Sequence, residues 1–276
     1  MKRKKMGMWK TLGSIYLVIM LVFILSPLVV MLVDSFKMTS DLLSPDLVFQ
    51  GKLSFKNYVS VFQQAGFGAA VKNSMIIAVC VTSLSLVCGT TAAYSFTRFR
   101  VMGSTQLSNS ILIARMIPSV VMAIPLYVVA QKVHMMDTFF IMIIAITTFA
   151  LPFQIWMLIG FFAQVPKSLD EAARIDGCSY FQTFFRIVIP SVSSGLAATA
   201  IMTFFFSWNE LFFALVLCGS RTKIAPLAIM DFMGYRYFDW GAILAAGVVL
   251  MAPTLIIGIV FKRYMVSGLT AGATKG

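Results

Sequence analysis

Asp170, Glu171, Arg174, Asp176 and Arg186 fall within one short stretch, DEAARIDGCSYFQTFFR, of a chain in which only 12% of residues are charged. Carboxylates and guanidinium groups this close together suit charge-assisted hydrogen bonds at a contact rim. They do not suit bond-breaking chemistry. The chain offers no nucleophile beside a base and no G-x-x-x-x-G-K-[ST] phosphate loop. Its single histidine, His134, rules out a His-rich metal cluster. Its four cysteines, Cys80, Cys88, Cys178 and Cys218, form no C-x-x-C pair. They are expected to be packing residues. The chain is expected to be no enzyme and to bind no metal or cofactor of its own.

The flanks of the charged stretch say how it is held. In VPKSLDEAARIDG, Pro166 marks a helix start. Ser168 and Glu171 fit an S-x-x-E capping box with Ser168 as N-cap, and Asp170 suits the positive end of the helix dipole. Ala172 and Ala173 are small and strongly helix-forming, and Gly177 stands where a glycine releases the chain into a turn. A second amphipathic stretch, Tyr180–Ile187, leads to Pro190. Residues 166–190 thus read as helix, glycine turn, helix. This is either an ordinary capped surface helix or a docking element, in which two alanines leave a helix thin enough to enter a groove.

The elements around it are apolar. The chain is 59% hydrophobic with a mean hydropathy of +0.91, well outside the range of soluble domains. Six runs are long enough to cross a bilayer as helix: Thr11–Val33, Asn73–Tyr94, Leu107–Ala130, Phe139–Phe162, Ile189–Leu217 and Gly241–Phe261. None alternates as barrel strands do. The expected fold is an all-α membrane protein of six transmembrane helices in a single membrane domain, 1–276. The first run follows Lys2–Lys5 and lacks a clean cleavage site, so it is expected to remain as a helix. The net charge of +12 sits beside apolar spans and points to anionic lipid, not nucleic acid. The basic residues at Lys2–Lys5 and Lys262–Arg263 place both termini, and with them 166–190, on the cytoplasmic side. Residues 34–72 become the long outer loop, in which SFKNYVSVF reads as a short surface helix.

Polar groups inside spans face protein or a cavity. In the fifth run Thr199, Thr203, Phe206 and Glu210 share one helix face, beside a stripe that includes Phe205 and Asn209. Such a lining suits a sugar, whose hydroxyls need partners and whose C–H faces pack on rings; it equally suits a helix interface held by hydroxyls. Arg115, with Ser119 on the same face of the third run, is either a gate or substrate contact or one half of a structural pair. Pro118, Pro125, Pro152, Pro190 and Pro253 are expected to kink helices.

EAARIDG, followed after nine residues by IVIP, resembles the EAA motif of permease subunits in ATP-binding-cassette importers. Glu171, Ala172, Ala173, Asp176, Gly177, Ile187 and Pro190 stand in register with it. NSMIIA, AAYSFTRFR, ARMIPSVVMAIPLYVV, SWNELFFAL and the tail GLTAGATKG extend the likeness over nearly the whole chain, toward the carbohydrate importers of the maltose type. The resemblance implies a type I importer permease fold with a core at 69–262 and a cytoplasmic EAA coupling loop at 166–190. It implies an inner-membrane subunit that translocates a sugar or oligosaccharide. Its partners would be a second homologous permease, an ATP-binding-cassette ATPase dimer carrying the ATP and Mg, and an extracytoplasmic sugar-binding protein. Glu171, Ala172, Ala173, Asp176, Gly177 and Pro190 would couple to the ATPase. Gly268, Leu269, Thr270, Gly272 and Lys275 of the tail would also contact the ATPases, although three glycines are equally the mark of a frayed end. An importer for peptide, phosphate or polyamine, and a stand-alone secondary transporter, are the alternatives. One departure is KVHMMDT, where His134 stands at a turn position expected to be glycine. A β-carbon is costly at positive φ, so that outer turn is expected to differ.

Overall fold

A computed structural model describes residues 2–43, 53–63, 66–99, 103–234 and 238–262. The first elements are α1 (Lys2–Asp34), α2 (Thr39–Leu42), α3 (Lys56–Gln63), α4 (Phe67–Arg98), α5 (Ser104–Arg115) and α6 (Ser119–Lys132). Then come α7 (Phe139–Gln164), α8 (Lys167–Ile175), α9 (Tyr180–Thr183), a π-helical turn (Phe184–Val188) and α10 (Ile189–Ser191). The chain continues through α11 (Ser193–Trp208), α12 (Phe212–Leu217), α13 (Ala225–Ala228) and α14 (Trp240–Val260). Among the described residues the only β-pairing is an isolated bridge between Met233 and Phe238. The packing divides into two compact units, one of residues 1–67 with 229–252 and one of residues 68–228 with 253–276.

All six apolar runs are mainly helical, yet among the described residues only α1, α4, α7 and α14 are unbroken helices long and apolar enough to span a bilayer. The third run is split. Pro118 is the N-cap of α6, with ψ 139°. A residue before proline is pushed out of the helical region, and α5 stops at Arg115, three residues earlier. The fifth run is broken twice. Residues 180–191 meet α11 at 76°, so Ile189–Ser191 lie on the other side of the bend from α11. A second break at 209–211 separates α11 from α12. Pro125, Pro152 and Pro253 lie within continuous helices.

The second unit is built on α7, the most buried of the long helices. One apolar cluster joins Ile77 and Val81 of α4, Ala123 and Ala130 of α6, and Met142 and Ile146 of α7 to Phe213 and Leu217 of α12. A second joins Ala93 and Tyr94 of α4 and Leu158 and Phe162 of α7 to Phe184, Val188 and Val192. This cluster seats the charged loop on the bundle. α11 packs closely on α7, where a β-carbon on Gly195 would lie 2.3 Å from the Phe161 ring.

Candidate functional site

The helix–turn–helix forms, with one change in how it is capped. Pro166 (φ −59°) is the N-cap of α8 and carries no side-chain cap, so Ser168 lies inside the first turn and the expected box at Ser168 and Glu171 does not form. The box sits one helix later. Ser179 Oγ accepts from the Gln182 amide (3.2 Å), and the Ser179 amide donates to Gln182 Oε1 (2.8 Å). Between the helices, Gly177 has φ +86°. Its amide donates to Arg174 O (3.2 Å) and the Cys178 amide to Ala173 O (2.9 Å), the paired bonds of a Schellman stop. Nothing lies within 4 Å of a β-carbon built on Gly177, so backbone conformation alone, not space, requires glycine there.

Ala173 is buried, whereas Glu171, Ala172, Arg174, Asp176, Gly177 and Pro190 are exposed. Arg174 lies 4.0 Å over the Tyr180 ring and donates to Cys178 O (3.2 Å), which braces the second helix against the first. Ile175 is 86% exposed and Phe181 77% exposed. Large apolar side chains this bare beside charged neighbours mark a contact surface.

Arg98 ties this surface to the bundle. Its Nε lies 2.8 Å from Asp170 Oδ2, with side chains 6% and 16% exposed. Nη1 donates to Phe162 O (3.3 Å), in the last turn of α7, and Nη2 to Val165 O (2.9 Å), at its C-cap. The Tyr94 hydroxyl donates to Asp170 Oδ1 (3.3 Å). One guanidinium thus joins the ends of α4 and α7 to the first turn of α8. Arg98 lies within AAYSFTRFR, and nothing in the sequence pattern marks it for this role.

The turn between α6 and α7 is built by a parallel device. His134 takes φ +55°; its amide donates to Gln131 O (3.1 Å) and that of Met135 to Ala130 O (2.9 Å). The turn expected to differ keeps its left-handed stop with histidine in place, a residue type enriched there among non-glycines. Next to it, Asp137 accepts from the amides of Gly219 (2.9 Å), Arg221 (3.1 Å) and Thr222 (2.8 Å) and from the Thr222 hydroxyl (2.7 Å). Desolvation pushes the Asp137 carboxyl up, but the bonds from Thr222, Arg221 and Gly219 outweigh it and hold the group below its ordinary value. Asn73 and Ser74 grip the same loop from the start of α4: Asn73 Nδ2 donates to Arg221 O and Lys223 O, and Ser74 Oγ accepts from the Ala225 amide.

The residues proposed to line a path are separated by the breaks. Thr199 is buried and donates to Leu196 O (3.1 Å) within its own helix. Thr203 is buried and donates to Gln154 Oε1 on α7 (2.5 Å). Phe205 is half-buried and its carbonyl accepts from Asn209 Nδ2 (2.9 Å) at the end of α11. Glu210 lies past that end and accepts from the Phe213 amide (3.1 Å), capping α12; the stripe does not run on to it. Arg115 is the last residue of α5, and its side chain is outside the described set; Ser119 opens α6 across the Pro118 break. Gln154 was not singled out from sequence, although a buried glutamine inside an apolar run is a readable signal. Gly268, Leu269, Thr270, Gly272 and Lys275 lie outside the described residues.

Comparison with known proteins gives the arrangement a family. The chain is 35% identical to the trehalose transport system permease protein SugB of Mycobacterium tuberculosis, over 81% of this chain and 83% of that one. It is 34% identical to the diacetylchitobiose uptake system permease protein DasC of Streptomyces coelicolor, over 100% of both. The fold resembles a chain of a bacterial ABC transporter involved in the import of the acidic polysaccharide alginate, with TM-score 0.78 at 20% identity, over 94% of this chain and 96% of that one. Residues 85–270, which hold the α8 surface, the Asp137 turn and the broken fifth run, match the family described as binding-protein-dependent transport system inner membrane component, and the chain belongs to that family.

Proposed function

We infer that the chain is the permease subunit of an importer that takes a sugar or oligosaccharide across the cytoplasmic membrane, with ATP hydrolysed by separate partner subunits. The sugar is supported by the relatives, which are permeases for trehalose and diacetylchitobiose. The observation that carries the coupling role is α8: exposed on one side, and fixed on the other by Arg98 to α4 and α7. A partner that moves α8 moves the ends of two long helices with it. In this reading Glu171, Ala172, Ala173, Asp176 and Gly177 seat in a groove of the ATPase dimer, where ATP and Mg reside, and Pro190 sets the entry to the bend at Val192. The tail Gly268, Leu269, Thr270, Gly272 and Lys275 reaches the same dimer. Both termini are cytoplasmic, a second permease completes the pathway, and an extracytoplasmic binding protein delivers the solute. Arg115, Ser119, Thr199, Thr203, Phe205, Asn209 and Glu210 remain the residues proposed to border the path.

The test uses the assembled importer in proteoliposomes, with uptake of labelled disaccharide and ATP hydrolysis read together. Glu171→Lys and Gly177→Leu should each abolish uptake while the subunit remains inserted. Wild-type uptake with wild-type stimulated hydrolysis in both would end the coupling assignment. Loss of disaccharide uptake in the wild type alone would end only the solute assignment.

A further inference from the structure

The short helix α3 has three faces. Asn57, Tyr58 and Val61 turn inward, and Val61 is fully buried. Asn57 Nδ2 donates to Ser35 O (2.8 Å) and Lys37 O (2.7 Å), and the Tyr58 hydroxyl bonds Ser35 Oγ (2.7 Å). These bonds fix α3 against the end of α1, the spanning helix. Lys56, Ser60 and Gln63 form a polar edge. Between the two runs a stripe of Phe55, Val59 and Phe62, at i, i+4 and i+7, with exposures of 71%, 51% and 54%.

The stripe continues the exposed apolar surface of α1, a helix long and apolar enough to span a bilayer. Val29, Val30 and Val33 of α1 are exposed, and the half-buried Phe36 ring packs edge-on against Phe55, with centroids 5.2 Å apart. The same level carries two more exposed aromatics. Phe238 and Trp240 stack with centroids 5.7 Å apart at the start of α14. That start is tied to the end of α1, because Thr39 Oγ1 donates to Asp239 Oδ1 (2.7 Å) and accepts from the Gly241 amide (3.0 Å). Aromatic rings gathered at the ends of spans occupy the headgroup region. A helix with an apolar stripe beside a lysine-bearing edge lies in the plane of that region.

We propose that α3 is an in-plane membrane anchor, with the Phe55–Val59–Phe62 stripe seated at the boundary between headgroups and acyl chains of the lipid bilayer. Through Asn57 and Tyr58 it fixes the depth at which α1 ends. The proposal concerns the lipid alone and stands whatever solute the importer carries.

The experiment is nitroxide accessibility in the assembled importer, with Cys80, Cys88, Cys178 and Cys218 replaced by serine, in nanodiscs of phosphatidylethanolamine and phosphatidylglycerol. Labels are placed singly at Val59→Cys, Phe62→Cys and Lys56→Cys. Oxygen concentrates in acyl chains and a nickel chelate stays in water. At positions 59 and 62, collision with oxygen should exceed collision with the chelate several-fold, at a depth of about 5–10 Å; at position 56 the order should reverse. Dominant chelate collision at 59 and 62 would put the stripe in water and overturn the proposal. Protection from both reagents would put it under a protein partner and overturn it equally. Two labelled positions on the stripe keep the test decisive if one variant fails to assemble.

Discussion

The α8 surface and the α6–α7 turn use the same two parts, a left-handed stop and an aspartate, and differ in what the aspartate holds. Asp170 pairs with side chains, Arg98 and Tyr94. Asp137 is bound by backbone amides of Gly219, Arg221 and Thr222. Side-chain partners join whole helices through rotatable bonds, so the joint at α8 can carry motion between elements. Amide partners fix the shape of the loop they belong to, so the joint at the turn is a brace. The stops differ in residue: glycine at 177, with φ +86° and open space around it, and histidine at 134, which holds φ +55° with its side chain in place.

Arg98→Ala breaks the first joint and should have the largest effect. It strands a mostly buried carboxylate and the carbonyls of Phe162 and Val165. Removing one partner of a buried pair costs about 3–5 kcal/mol. Thermal unfolding of the purified importer should shift down markedly, and uptake should be lost. Arg98→Lys keeps the charge without the planar fork and should fall between. An Arg98→Ala transporter with wild-type melting would mean that the joint holds nothing.

Asp137→Ala should cost less, about 1.5–3 kcal/mol, the scale of bonds to a charged acceptor, because the site is partly open to water. Its pH dependence is diagnostic. The folded carboxyl titrates below its ordinary value of 3.8, mainly because desolvation is outweighed by bonds from Thr222, Arg221 and Gly219. A depressed folded pKa gives stability that is fully present above the unfolded pKa and lost as pH falls through the folded one. Melting should therefore decline below pH 3.8, and Asp137→Asn should remove that part of the decline. A pH profile unchanged by Asp137→Asn would separate the aspartate from the brace.

The smallest effects on stability come from exchanging the stops. His134→Gly relieves a β-carbon at φ +55° and should stabilise by less than about 1 kcal/mol, since glycine also loosens the unfolded chain. Gly177→Asn should be milder than Gly177→Leu, because asparagine visits the left-handed region more readily. Equal loss of uptake in both would shift the cause from backbone strain to the presence of any side chain on that surface.

Much of this was readable from single residues. The six apolar runs, the glycine stop and the helix pair of 166–190 follow from local chemistry alone. The misplaced capping box shows where local reading stops. SLDE and SYFQ both fit the pattern, but Pro166 begins the helix too early for Ser168 to cap it, while the turn at Gly177 delivers Ser179 in extended conformation with ψ 165°. The fifth run reads as one span by length and hydropathy; Pro190 announces a kink there, but its residue type alone does not set a 76° bend at Val192. The Arg98 joint was invisible for another reason: its partners lie on three helices, and only packing brings them together. Gln154 and Thr203 meet the same way, across 49 residues.

The burial of Arg98 divides the charges of this region by their response to ionic strength. Ions screen exposed charges beyond about 10 Å at 0.1 M salt and act much less on buried pairs. Lys167, Glu171, Arg174 and Asp176 are exposed, whereas the Arg98 side chain at the joint is 6% exposed. Concentrated salt should thus weaken whatever those outer charges hold while α8 stays seated on α4 and α7. A partner stripped from the surface by salt would leave behind a surface still shaped to receive it, and dilution alone should restore the complex.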